Sequence, residues 1–188
     1  MINPLIKGEY HVQTIVRDKQ HKNWLWLCSN KGLILFDEAK KEFLNLYSFD
    51  QSKKQFLPTD DVQHLYQDEE GIYWLATVDG VIRWNKAKNE YRQLTVADGL
   101  PDNVVYAIYP DDYGNLWMSS DYGIIQMNKK SFAIRNYLPE DGIGQKEFNR
   151  ISHFSYRDEN GVQRLFFGGL SGVTAFYPKD FQKNNQEI

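Results

Sequence analysis

Residues 111–128 read DDYGNLWMSSDYGIIQMN, and residues 68–85 read DEEGIYWLATVDGVIRWN. In both stretches an Asp opens a glycine turn, a tryptophan follows six residues later, and a second glycine stands six residues beyond the tryptophan. Working outward, the aromatic-to-glycine interval recurs four times: Trp26 to Gly32, Trp74 to Gly80, Trp117 to Gly123 and Phe166 to Gly172. Four residues after each glycine comes another large apolar side chain, namely Phe36, Trp84, Met127 and Phe176. Successive units lie 48, 43 and 49 residues apart. A fixed interval of this size belongs to repeat architectures.

Each unit breaks into short runs of strand formers separated by turn chemistry. In the third, the runs 105–109, 116–119, 124–127 and 132–137 are split by 111–114, 120–123 and 128–130. That pattern predicts a four-stranded antiparallel meander. One such meander cannot bury both faces, so units of this length stack their sheets around an axis as β-propeller blades. The sequence therefore predicts an all-β propeller segment spanning 1–188, with four four-stranded blades over about 12–50, 62–96, 104–138 and 150–181. An open row of four would leave an apolar sheet face at each end, which predicts self-association or dimerisation unless the ring closes within one chain.

Composition agrees with this class. Aromatic residues make up 15% of 188 residues and Pro is scarce at six, while the mean hydropathy of −0.61 keeps the surface polar. A net charge of −3 supplies no basic excess for phosphates, so nucleic acid is not an expected partner. No apolar run approaches the roughly 20 residues of a membrane span, and the first eleven residues lack the pattern of a secretory signal. No direct membrane contact is expected of this segment.

The units at 68–85 and 111–128 resemble the two-component regulator propeller repeat, which runs Asp, glycine turn, Trp, small residue, then Gly at the head of the next strand. The fourth unit, with Asp141-Gly142-Ile143, Glu147-Phe148-Asn149 and FFGGLSGVTAFYPKDF over 166–181, resembles the last blade of that family. In that family the last blade precedes an immunoglobulin-like domain, and the chain would stop near that junction. The resemblance implies the extracytoplasmic, periplasmic sensor propeller of a hybrid two-component histidine kinase, whose complete ring has about seven blades. It also implies an oligosaccharide or related solute as ligand. In the first and fourth units Asp18 to Trp26 and Asp158 to Phe166 are eight apart, against six in the middle pair, so longer first hairpins are expected there.

The periodic Trp26, Trp74, Trp117 and Phe166, with Gly32, Gly80, Gly123 and Gly172, are predicted to be the structural core of the repeat rather than a sugar platform. Cys28 falls where other units place Ala76, Ser119 and Gly168, which predicts a packed, inert thiol. His11, His21, His64 and His153 show no ligand spacing, and acidic turns such as 68–71 and 111–114 lack the spaced oxygens of a calcium loop. No metal and no cofactor are expected, and Asp before Gly is explained by turn capping. His64 falls on an innermost strand and could face the channel.

Binding in propellers gathers where loops surface at one end of the axis. The turns between second and third strands bring Asn30, Lys31, Asp79, Asp121, Tyr122 and Ser171 to one end, and the links between blades bring Asp60, Asp61, Asp102, Asn103, Glu147, Asn149 and Arg150 to the same end. These are groups suited to polyols. Three functions fit: a non-catalytic ligand-sensing segment, an assembly module without its own ligand, and a propeller lyase or glycosidase. The last needs a carboxylate pair or a His with a partner at reaction distance, and none is legible. The segment is therefore expected not to be an enzyme.

Overall fold

The computed structural model describes residues 9–50 and 56–182. Those residues form four antiparallel sheets, each with its strands side by side in chain order. The first sheet is β1 (Val12–Arg17), β2 (Trp24–Ser29), β3 (Gly32–Asp37) and β4 (Glu42–Tyr47). The second is β5 (Val62–Gln67), β6 (Tyr73–Thr77), β7 (Gly80–Asn85) and β8 (Glu90–Leu94), and the third is β9 (Val105–Pro110), β10 (Asn115–Ser120), β11 (Gly123–Asn128) and β12 (Ile134–Tyr137). The fold is all-β, built as propeller blades.

The fourth blade carries three strands among the described residues: β13 (His153–Arg157), β14 (Gln163–Gly169) and β15 (Gly172–Phe176). The expected outer strand is replaced by a 3-10 turn over Pro178–Phe181. Proline has no N–H to donate to a ladder, which suits a turn better than a fourth strand at that place. Phe181 folds back onto the neighbouring blade instead, with its ring centroid 5.0 Å from that of Trp117.

Three apolar clusters lie between successive sheets. Trp26, Cys28 and Leu35 of the first blade meet Tyr73, Leu75 and Trp84 of the second. Trp74 and Val81 meet Ile108, Leu116 and Met127 of the third. Trp117 and Ile124 meet Leu165 and Phe167 of the fourth. Trp26, Trp74 and Trp117 thus face forward to the next sheet, and the apolar residue four after each glycine, Trp84 among them, faces back. Trp26, Trp74 and Trp117 are buried as expected. Phe166, expected in the same core, is only half-buried, because no further sheet covers the forward face of the fourth blade among the described residues.

The acidic turns do more than cap. Asp68 accepts the backbone N–H groups of Glu70 (3.0 Å) and Ile72 (2.9 Å) on Oδ1, and the indole N–H of Trp74 (3.0 Å) on Oδ2. Asp111 repeats this with Tyr113 and Asn115 (both 2.8 Å) and Trp117 (2.9 Å), and Asp18 with Gln20 (2.9 Å), His21 (2.8 Å) and Trp26 (2.8 Å). One carboxylate therefore holds its hairpin shut and supplies the buried indole with the acceptor it needs. Asp158 caps its turn through Asn160 (2.9 Å) and Val162 (2.8 Å), and Phe166 has no N–H to offer it.

Candidate functional site

The end of the blades that carries the β2–β3, β6–β7 and β10–β11 turns is held by a repeated clip. Gly32, Gly80 and Gly123 adopt positive φ (108°, 104° and 93°), a region costly for other residues. A Cβ on any of them would also strike the backbone carbonyl oxygen closing the fourth strand, that of Tyr47, Leu94 or Tyr137. Their N–H groups donate to carbonyls in the link to the next blade: Asp60, Asn103 (2.6 Å) and Lys146 (2.7 Å). The hydroxyl three residues before each glycine donates back to it, Ser29 at 2.7 Å, Thr77 at 2.8 Å and Ser120 at 3.1 Å.

In the fourth blade Gly169 stands where that hydroxyl belongs. The Gln145 amide takes its place from the preceding link, donating to the Gly172 carbonyl (3.0 Å) and accepting from the Ser171 N–H (2.9 Å). Any side chain at position 169 would meet Gln145, within 2.6 Å of its amide.

Much of the predicted loop set is spent on such internal bonds. Asn30 accepts the His11 N–H (2.9 Å), Asp102 the Val104 N–H (2.7 Å) and Asn103 the Val96 N–H (2.9 Å). Asn149 ties its N–H to the Gly168 carbonyl (2.9 Å). Lys31 lies over the Tyr10 ring (5.4 Å), away from the others, and Tyr122 lies under Lys146 (3.8 Å). Glu147 is exposed, with its backbone carbonyl against Gly169.

A smaller set does converge. Thr59 donates to Asp79 (2.6 Å), Gln63 donates to Asp61, and Tyr106 donates to Asp121 (2.7 Å). Arg150, from the link into the fourth blade, lies close enough to act on both Asp61 and Tyr106. Burial raises the Asp61 carboxyl above its ordinary range; Arg150 opposes the rise and Asp79 adds to it. Burial, helped by Asp121, pushes the Tyr106 phenol to about 12, against the pull of Arg150. Gln63 is fully buried and its Oε1 has no hydrogen-bond partner. Groups from three blades thus meet as three carboxylates, a phenol, an amide and a guanidinium, the donors and acceptors that bind vicinal hydroxyls. Among the predicted residues Asp61, Asp79, Asp121 and Arg150 come together here. Gln63 and Tyr106 were not singled out, since inner-strand polar residues carry no period of their own.

Deeper along the inner strands, His64, Tyr109 and His153 from three blades touch. The two imidazoles are 4.7 Å apart between centroids, and the Tyr109 hydroxyl lies 2.8 Å from His153 Nδ1. His64 Nδ1 accepts the Ile108 N–H (3.2 Å). Burial, with His153 alongside, pushes His64 down to about 3, and burial pushes His153 down to about 4, so both are neutral near pH 7. Among the described residues no three His, Cys, Asp or Glu side chains gather as metal donors. Cys28 is buried and its thiol pushed up to about 12 by that burial, which suits the inert role expected of it.

At the opposite end a cavity of about 700 Å³ opens between the second and third blades, lined among others by Asp68, Trp74, Arg83, Arg92, Lys129 and Phe132. Its two arginines lie over rings, Arg92 4.2 Å from that of Phe132 and Arg83 5.7 Å from that of Trp74.

Comparison with known proteins finds a family model that matches part of the chain. The two-component regulator propeller model matches residues 57–79 and 99–122. The crystal structure of the extracellular domain of the putative hybrid two-component system BT3049 from B. thetaiotaomicron is 25% identical, with a TM-score of 0.71 over 93% of this chain and 23% of that one. The extracellular domain of the putative one-component system BT4673 from the same organism is 22% identical (TM-score 0.68, 93% and 25% covered), and PorZ, a surface component of the type-IX secretion system of Porphyromonas gingivalis, is 12% identical (TM-score 0.60, 92% and 26% covered). The last two show the fold alone. The chain spans about a quarter of the length of these structures. No curated protein matches it.

Proposed function

Because the chain carries two-component regulator propeller repeats, we propose that it is part of the ligand-sensing region of a bacterial two-component sensor, working outside the cytoplasm and without catalysis. The observation behind this reading is the match of both middle blades to that family, joined by the likeness of the whole arc to the extracellular domain of a hybrid two-component system. The ligand is a solute rich in hydroxyls, an oligosaccharide or a related polyol, held at the mouth formed by Asp61, Gln63, Asp79, Tyr106, Asp121 and Arg150. Carboxylates accept from sugar hydroxyls, while a guanidinium and a phenol donate to ring and hydroxyl oxygens. The unpartnered Gln63 Oε1 adds an acceptor whose desolvation a donor on the ligand would repay.

Titration calorimetry of a panel of glycans against the chain tests this. A saturable ligand is expected, weakened about tenfold or more by Arg150→Ala and by Asp61→Asn, as for loss of a hydrogen bond to a charged group. Arg92→Ala, in the cavity at the opposite end, is expected to leave the affinity unchanged. Loss of binding in the Arg92 variant alone would move the site to that cavity and end the assignment to the mouth.

A further inference from the structure

Three positions around the cavity of about 700 Å³ between the second and third blades depart from the repeat together. Across the second blade Trp74 pairs with Arg83 and Arg83 with Arg92, so two guanidinium groups stand directly opposite one another on the face turned to the third blade. Like charges so placed repel, and the neighbouring blades avoid the arrangement: the first sets Leu35 opposite Asn45 at that place, and the third sets Gln126 opposite Arg135. Among the described residues neither Arg83 nor Arg92 has a carboxylate partner. Each is held over a ring instead, Arg92 by Phe132 and Arg83 by Trp74. Phe132 is the third departure. It stands nine residues after Gly123 with a φ of 60°, where the first and second blades place Lys41 and Asn89, both at 56°. A bulky ring suits that left-handed region poorly, and strain of this kind persists where the surroundings hold a side chain for a purpose.

We infer that this cavity is a second binding site, for a small solute that carries an oxyanion (a carboxylate, sulfate or phosphate group) gripped between Arg83 and Arg92. A guanidinium presents a planar fork to such a group, and rings that hold two forks in place reduce the freedom lost on binding. The oxyanion also supplies the negative charge that relieves the repulsion within the pair. Lys129 and Lys130 add charge from the third blade, so the lining carries four cations against Asp68, Glu69 and Glu70. Two of those acids are already engaged, Asp68 with its own turn and Trp74, and Glu69 with Lys19. The volume is larger than a bare ion fills and leaves room for the body of the solute beside Tyr113 and Phe132. The walls belong to the two blades that are covered on both faces, at the end opposite the mouth. A neutral polyol bound at the mouth makes no use of this pair, so the two assignments stand or fall separately.

Titration of the arginine Nε–H signals of the 188-residue chain by NMR, with inorganic phosphate, inorganic sulfate and succinate at constant ionic strength, tests the site. The signals of Arg83 and Arg92 are expected to shift together and to saturate with at least one of the three ions, and the tightest of them identifies the oxyanion. Arg83→Gln and Arg92→Gln are each expected to weaken that ion about tenfold or more, as for loss of a hydrogen bond between charged groups. Phe132→Asn, which installs the residue type found at this turn in the second blade, is expected to weaken it about threefold by freeing Arg92. Lys40→Gln, which removes an exposed cation from the corresponding turn of the first blade, is expected to leave the affinity unchanged. Shifts that rise without saturation for all three ions overturn the inference, because they report screening alone. So do shifts no larger at Arg83 and Arg92 than at the other arginines, and an affinity that survives both arginine substitutions.

Discussion

Gln145 shows how one position compensates for another. It supplies in the fourth blade the two hydrogen bonds that Ser29, Thr77 and Ser120 supply in the others, and Gly169 leaves the room for it. Gln145→Ala is expected to cost about 1–3 kcal/mol in chemical denaturation, the penalty of leaving buried partners unmet. Gly169→Ser is expected to destabilise whether or not Gln145 is present, because its Cβ would strike the Glu147 carbonyl oxygen as well as the Gln145 amide. Glycines at the turns divide in the same way. Gly172→Ala meets only the strain of its φ of 132°, about 1–3 kcal/mol, whereas Gly80→Ala also drives a methyl into the Leu94 carbonyl and is expected to cost about 1–3 kcal/mol more. Equal losses in thermal unfolding would contradict the difference. The aromatic and glycine interval was legible because each blade repeats it. Gln145 was not, since its partner lies 27 residues away in a link that no other blade copies.

At the level of the strands, the same spacing resolves in two ways. Asp18 and Trp26 are eight apart because the extra residues enlarge the turn, so that the Asp18 N–H closes onto the Trp24 carbonyl (3.0 Å) and the carboxylate still reaches its indole. Asp158 and Phe166 are eight apart because β14 is lengthened, with Arg157 paired to Gln163 and the turn itself left short. Counting residues predicts a longer hairpin in both but cannot say whether loop or ladder takes the addition. The inner strands also carry a pH response. His64 on β5 and His153 on β13 have folded values near 3 and 4, against about 6.5 in an unfolded chain. The unfolded state therefore binds more protons in this window, and stability is full above pH 6.5, falling as the pH drops from there toward 4. A loss on the order of 1–2 kcal/mol per histidine is expected between pH 7 and pH 5. Urea midpoints at the two values check it: His64→Gln should flatten the slope, and an unchanged slope would dismiss the pair as its source.

Across the whole molecule, stability is expected to be graded rather than uniform. The middle blades are covered on both faces, while the first and fourth each have one neighbour among the described residues. In an array held by nearest-neighbour interfaces, terminal units open first. Amide exchange under conditions where the chain is a single copy is expected to protect β6 and β10 most and β2 and β14 less, and equal protection in all four would count against an open arc. How the blades sit was legible from the sequence, whereas the proposed binding mouth was legible only in part. Asp79, Asp121 and Arg150 announce themselves as loop residues, but most of their loop neighbours turn out to fasten turns. The fastening has a consequence for the proposed sensing role. Since the first three hairpins at this end are clipped to the passage leading onward, and the fourth to the passage before it, a loop there is tied to the neighbouring link. On the proposed function, a solute that draws Arg150 inward would pull on a collar, and the displacement would be handed from sheet to sheet around the hub instead of dying out where it began.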